Sequence, residues 1–112
     1  MSADSEGQTV GVGDIQTQTR NVFRSIEHVL AEAGASMRDV VKLNTSYVND
    51  AVGHELREYW EKMTRVRMEF FDDPGPCGTG VRVVGHAHPD LLIEVEAIAY
   101  LPSTAATPPP AA

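Results

Sequence analysis

Apolar residues recur along this chain with two different periods, and the change of period separates predicted helices from predicted strands. Between Asp14 and Gly34 the spacing is that of an amphipathic helix, with Asp14 as the N-cap and Gly34 as the C-terminal stop. Residues 40–48 alternate and are rich in β-branched side chains, which is typical of a strand. A second helical stripe begins after residues 49–50 and ends before the Pro/Gly-rich segment 72–76.

Two further strands are predicted in the last third of the chain, Thr79 to about Ala87 and Leu91 to Leu101. The short link 88–90 predicts that they form an antiparallel hairpin. One face of the last strand is entirely apolar and is expected to pack against both helices, while the other carries Glu94 and Glu96. The predicted fold class is therefore α+β, a sandwich with two helices on one face of a mainly antiparallel sheet.

The two glutamates are the least expected residues of this apolar strand. Buried carboxylates need cations or hydrogen-bond donors, so their face is expected to border a polar cleft or a subunit interface. In the favoured hairpin register Arg82 lies opposite Glu96, and we interpret the two as an ion pair on the face shared with Gly80 and Glu94. The apolar residues that favour self-association through this face are Leu92, Ile98 and Tyr100.

The length of 112 residues corresponds to one domain. Residues 1–7 are polar and expected to be flexible, residues 8–101 form the domain, and the Pro/Ala-rich tail 102–112 is expected to be disordered.

Charge and composition exclude several classes of protein. A net charge of −7 argues against nucleic acid as a partner, because phosphate binding requires clustered Lys and Arg. The single cysteine excludes an internal disulfide framework and suits a reducing cytosol. Because no apolar run reaches membrane-spanning length and no signal peptide is evident, a cytoplasmic protein without a membrane partner is expected.

Three segments of the chain together resemble the Rid family, also called the YjgF, RidA or L-PSP endoribonuclease family. They are residues 40–48, Pro76–Val83 and Ile93–Ala99, and the likeness extends over about residues 7–101. The resemblance implies a chorismate-mutase-like (YjgF-type) fold and a homotrimer with clefts between subunits. It also implies hydrolysis of small imines and enamines, such as 2-aminoacrylate, to a keto acid and ammonia, without a cofactor.

The resemblance implies that Glu94 holds or activates the catalytic water. The substrate-binding positions that it suggests are Cys77, Gly78, Thr79 and Arg82. The arginine that clamps the substrate carboxylate in this family is replaced here by Gly78, or by Thr79 if the alignment shifts by one residue. Neither residue can clamp a carboxylate, which favours an altered specificity. The alternative is a non-catalytic trimer of the same family that binds a metabolite or serves as an accessory subunit.

The resemblance implies that the N-terminal β-hairpin that lines the cleft in this family is missing from this sequence. Only residues 7–13 precede the first helix as candidates for it. Either the sequence begins downstream of the true start, or the protein lacks part of the pocket.

Other candidate sites have weaker support. Cys77 lies beside the expected cleft but lacks an evident activating base, so a structural role is favoured over that of a nucleophile. His86 and His88 share one strand face but have no evident third partner, so no metal site is predicted. The glycines at 7, 11 and 13 do not form a phosphate-binding loop.

Overall fold

The computed structural model describes residues 1–101, so the predicted disordered tail lies outside the described residues. The predicted order of helices and strands is confirmed, although both C-terminal strands are shorter than expected. The elements are α1 (Ile15–Glu32), a 3-10 turn (Met37–Asp39), β1 (Val40–Tyr47), α2 (Gly53–Arg67), β2 (Cys77–Arg82) and β3 (Ile93–Ala99). Within residues 1–101, neither helix has the length and apolarity that crossing a membrane requires.

Helix α1 begins and ends where its local sequence predicts. The Asp14 carboxylate accepts hydrogen bonds from the backbone N–H groups of Gln16 and Thr17, each at 3.1 Å. These bonds, led by the one from Thr17, hold the pKa of Asp14 below its usual value. Gly34 follows the helix with φ +79°, a left-handed conformation that glycine adopts without a steric penalty.

The sheet contains three strands in the order β2-β1-β3, and this order contradicts the predicted hairpin. β1 pairs in parallel with β2 and antiparallel with β3, so the sheet is mixed rather than mainly antiparallel. The prediction failed because β2 ends at Arg82 and β3 begins at Ile93, which leaves a link long enough to cross the end of β1. Backbone bonds of 2.9 Å, from Val83 to Tyr47 and from Val48 to Leu92, hold the crossing.

Both helices cover one face of the sheet, as predicted. Phe23 of α1, Leu43 of β1 and Val66 of α2 are buried together. The apolar face of β3 packs against this core, which confirms the expected orientation of the last strand. The predicted second helical stripe begins too early, because Val52 is the N-cap residue that precedes α2 and its side chain is exposed.

The N-terminal segment, expected to be flexible as far as Gly7, makes defined hydrogen bonds. Ala3 and Thr9 form an isolated antiparallel bridge, and the Val10 N–H donates to the Ser2 carbonyl at 2.9 Å. Ser2 is fully buried, and its hydroxyl donates to the Val10 carbonyl at 2.8 Å. A short antiparallel turn therefore precedes α1.

Candidate functional site

The sheet face opposite the helices carries polar side chains in cross-strand rows. Residues paired across neighbouring strands direct their side chains to the same face. The strand register therefore identifies which side chains are neighbours. One row contains Val81, Ser46 and Glu94, and the adjacent row contains Thr79, Asn44 and Glu96. The two carboxylates predicted to share a face therefore border a hydroxyl and an amide of the central strand.

These rows line an open groove of about 590 Å³. Glu94 is half-buried there, whereas Glu96 is exposed. No arginine or lysine side chain is among the described residues that line the groove. Its polar side chains are therefore carboxylates, hydroxyls and an amide, and its apolar lining comes from Met1, Val81 and Val95.

Arg82 lies on the other side of the sheet. It pairs with Tyr47 in a row on the helix-covered face, and its Nη1 donates to the Ala51 carbonyl at 2.7 Å. The predicted Arg82–Glu96 pair and the shared face with Glu94 are both wrong. Because β1 separates β2 from β3, Asn44 lies beside Glu96 instead.

Arg82 borders a separate cleft that includes Tyr59 and Asn49. The Tyr59 hydroxyl donates to the Val48 carbonyl at 3.1 Å. Burial raises the pKa of Tyr59 to about 12, so the phenol is neutral near pH 7. This cleft holds a cation and a neutral donor but not the predicted catalytic carboxylate.

Gly78 and Gly80 also belong to the helix-covered face. A Cβ atom added at Gly78 would lie 3.2 Å from the Leu43 carbonyl oxygen. One added at Gly80 would overlap the indole of Trp60, which occupies the space above that glycine. If the family's arginine aligns with Gly78, that position faces away from Glu94 of the same chain. If it aligns with Thr79, the position lies on the same sheet face as Glu94.

Thr79 and Cys77 are on the same sheet face as Glu94, at different distances from it. Thr79 lines the groove itself. Cys77 is one row farther along, beside Lys42, and its thiol donates to the Val41 carbonyl at 3.2 Å. Of the expected site residues, Glu94 and Thr79 lie together, Cys77 lines a neighbouring depression, and Gly78 and Arg82 face the helices.

A contact that the sequence analysis missed joins Ser46 to His86. The Ser46 Oγ lies 2.9 Å from His86 Nε2, and His86 Nδ1 lies 2.7 Å from the Leu91 carbonyl oxygen. His86 and His88 make different contacts, and no group of three or more metal-binding side chains occurs within residues 1–101. The alternation along β1 could have placed Ser46 on the same face as Asn44. No local sequence pattern indicated that His86 would contact Ser46.

Comparison with known proteins identifies the family. Residues 1–101 match the Endoribonuclease L-PSP family. Over 97 residues the chain is 41% identical to a RutC family protein of Pyrococcus abyssi, covering 87% of this chain and 70% of that protein. Over 101 residues it is 33% identical to the 3-aminoacrylate deaminase RutC of Acinetobacter baylyi, covering 90% and 74%.

A solved structure also aligns with this chain and belongs to the same family as these relatives. The crystal structure of Rv2704 from Mycobacterium tuberculosis, a member of the YjgF/YER057c/UK114 family, aligns with a TM-score of 0.71 at 33% identity. The alignment covers 82% of this chain and 71% of that one. The fold expected from the resemblance is thus confirmed, and the chain belongs to the L-PSP endoribonuclease family, also called the YjgF or Rid family.

Proposed function

We propose that this protein hydrolyses small reactive imines and enamines to a carbonyl product and ammonia. Glu94 positions and activates the water in this proposal. The observation that carries it is the half-buried Glu94 carboxylate in a polar groove on the open sheet face. Membership of a family that includes a 3-aminoacrylate deaminase supports the reaction class.

The groove suits the chemistry of an imine. An imine carbon is already electrophilic, so catalysis requires mainly a held substrate and a positioned water. Water adds to the carbon of the protonated imine while Glu94 takes one of its protons, which gives a neutral carbinolamine. Glu94 then returns this proton to the nitrogen. The C–N bond breaks, and the hydroxyl proton leaves with the ammonia, so that the carbonyl product and ammonium are formed. The carboxylates of Glu94 and Glu96 favour the cationic iminium form of the substrate.

The substrate preference is altered relative to a deaminase that clamps a carboxylate with arginine. Gly78 has no side chain, and Arg82 bonds the Ala51 carbonyl from the opposite face. Thr79 supplies a hydroxyl in the groove, and Cys77 lines the neighbouring depression. Substrates with uncharged substituents are therefore favoured over 2-imino acids.

The functional unit in this proposal is a homotrimer with its clefts between subunits. The open sheet face has apolar residues with nothing packed over them in the single chain. Exposure reaches 50% for Val81, 55% for Ile98 and 66% for Tyr100. Covering such residues is a common basis of self-association. Light scattering coupled to size-exclusion chromatography measures the assembly directly, and a stable monomer contradicts this part of the proposal.

The reaction is tested with 2-aminoacrylate and 2-iminobutyrate generated in situ by a dehydratase, alongside an imine without a carboxylate. Release of carbonyl product and ammonia is followed. Glu94→Ala is expected to lower the rate by about 10²-fold, the usual contribution of a general base. Glu61→Ala, which removes an exposed carboxylate from α2, is the matched control. Equal rates for wild type, Glu94→Ala and the uncatalysed reaction overturn the deaminase proposal.

A non-catalytic member of the family is the second candidate, and the glycine at position 78 favours it. In that case the same clefts bind a small metabolite without turnover, or the trimer is an accessory subunit. Calorimetric titration with the stable carbonyl product distinguishes the two proposals when it is combined with the rate assay. Binding that Glu94→Ala weakens, without turnover by the wild type, supports the second candidate.

A further inference from the structure

The contacts of His86 define its tautomer. A carbonyl oxygen only accepts hydrogen bonds, so the 2.7 Å contact with Leu91 requires the hydrogen to be on Nδ1. In the neutral ring Nε2 then carries a lone pair and accepts the Ser46 hydroxyl hydrogen at 2.9 Å. The imidazole is thus oriented as a base toward a serine hydroxyl, which is the arrangement that activates serine nucleophiles.

The carbonyl that orients His86 is itself held in place by α1. Gln18 is fully buried, and its Nε2 donates to the Asp90 carbonyl at 2.9 Å. Its Oε1 accepts from the Leu92 N–H at 2.8 Å, and the Leu91 side chain between these two residues is buried. The backbone on both sides of Leu91 is therefore anchored, which directs its carbonyl at His86. Catalytic pairs require this kind of support from a surrounding shell of residues.

Ser46 is accessible from the groove. It lines the same groove as Glu94, its cross-strand partner on β3. Asn44 lies two positions along β1 on the same face, roughly 6–7 Å away at about 3.3 Å per residue. Its amide N–H is suited to donate to an oxyanion that forms when the serine attacks a carbonyl.

We infer that Ser46 and His86 form a nucleophile–base pair that accepts acyl groups from small uncharged or cationic esters. The preference for charge comes from Glu94 and Glu96, which repel an anionic ester in a groove without lysine or arginine side chains among its described lining residues. This activity is separate from imine hydrolysis and does not depend on it.

The step balances without a cofactor. Ser46 Oγ bonds to the ester carbonyl carbon while its proton passes to His86 Nε2. Collapse of the tetrahedral adduct breaks the bond to the alcohol oxygen, which receives that proton. Water then attacks the acyl-serine, again with His86 taking and returning a proton, and releases the carboxylic acid.

The test uses p-nitrophenyl acetate with the full-length protein. Release of p-nitrophenolate gives the acylation rate, and mass spectrometry of proteolytic peptides locates the acetyl group. We expect one acetyl group on Ser46, absent from Ser46→Ala. His86→Gln keeps an amide N–H for the Leu91 carbonyl but has no basic nitrogen, and should acylate about 10²-fold more slowly.

Matched controls remove a serine and a histidine elsewhere. Ser25→Ala deletes an exposed hydroxyl of α1, and His54→Ala deletes an exposed imidazole of α2. Both should acylate at the wild-type rate, and thermal melts confirm that every variant is folded. Acetylation confined to other residues, or an equal rate at Ser46 in folded His86→Gln, overturns the inference.

Charge preference is a second measurement. A p-nitrophenyl ester with a quaternary ammonium acyl group is compared with a p-nitrophenyl ester of succinate, each normalised to its uncatalysed hydrolysis. The cationic ester should react at least about tenfold faster, because the two carboxylates attract a cation and repel an anion at close range. Preference for the succinate ester contradicts the proposed substrate class.

Discussion

Gln18, buried on α1, accepts a hydrogen bond from the backbone N–H of Leu92 at 2.8 Å and thereby ties the first helix to the start of the last strand. The same side chain donates to the carbonyls of Gly11 and Asp90, at 3.1 and 2.9 Å. One side-chain amide therefore satisfies three backbone groups, one in the segment before α1 and two in the segment before β3. Buried polar groups of this kind are costly to leave unpaired.

Replacing Gln18 with leucine should destabilise the protein. The substitution leaves the Leu92 N–H and two carbonyls without their partner, and we expect the free energy of unfolding to fall by about 3 kcal/mol. Urea unfolding measures it. Gln16→Leu is the control on the same helix, because the Gln16 side chain makes only a 3.5 Å contact with the Lys62 carbonyl. An equal loss in both variants contradicts this account.

Gly80→Ala should destabilise the protein through Trp60. A Cβ at position 80 overlaps the indole, so either the ring or β2 must move, and overpacking of this kind costs about 1–3 kcal/mol. Gly85→Ala, at a position with nothing within 4 Å of the added atom, is the control. In a double-mutant cycle the cost should shrink when Trp60 is first replaced with leucine. A cost that is independent of Trp60 would point to another cause.

The Arg20–Glu69 pair should contribute to the pH dependence of stability. Arg20 Nε and Nη2 donate to the two carboxylate oxygens at 3.0 and 2.6 Å, and these bonds hold the pKa of Glu69 below its ordinary value of 4.5. Because the pKa of Glu69 is lower in the folded than in the unfolded state, the pair stabilises the protein at pH values above the pKa of the unfolded state. This contribution disappears as the pH falls through the pKa of the folded state.

Arg20→Met is the variant that isolates this pair. It should return the pKa of Glu69 toward 4.5, as followed by carboxyl NMR titration. The fall in melting temperature below pH 4.5 should also become less steep than in the wild type. Arg57→Met, which removes an exposed arginine of α2, is the comparison. An unchanged titration of Glu69 in Arg20→Met would refute the assignment.

Tyr59 should make the protein less stable in alkali. Burial raises the pKa of Tyr59 from 10.0 to about 12. Its contribution to the free energy of unfolding is therefore complete below pH 10. The contribution is lost as the pH rises toward 12, because the phenol ionises more easily in the unfolded state. Tyr59→Phe should show a smaller decline of melting temperature over this window. Ultraviolet difference spectra should lack one high-pH phenol transition in the variant. A transition near pH 10 assigned to Tyr59 would contradict the burial argument.

Prediction from sequence succeeded where the signal is local. Asp14 and Gly34 bound α1 through contacts within a few residues, and the alternation in β3 correctly identified the face that packs against the helices. The same alternation put Glu94 and Glu96 on one open face. These features depend on backbone geometry and side-chain period, which neighbouring residues specify.

The sequence by itself therefore determined the elements, their apolar faces and the exposure of the Glu94 face to a groove. Tertiary structure decided which strands are neighbours: β1 inserts between β2 and β3, and this insertion moved Arg82 away from both glutamates. It also brought Ser46 to His86, a pair 40 residues apart. The physical reason is that strand order and loop crossing minimise the free energy of the whole chain, whereas period and capping report only on local conformations.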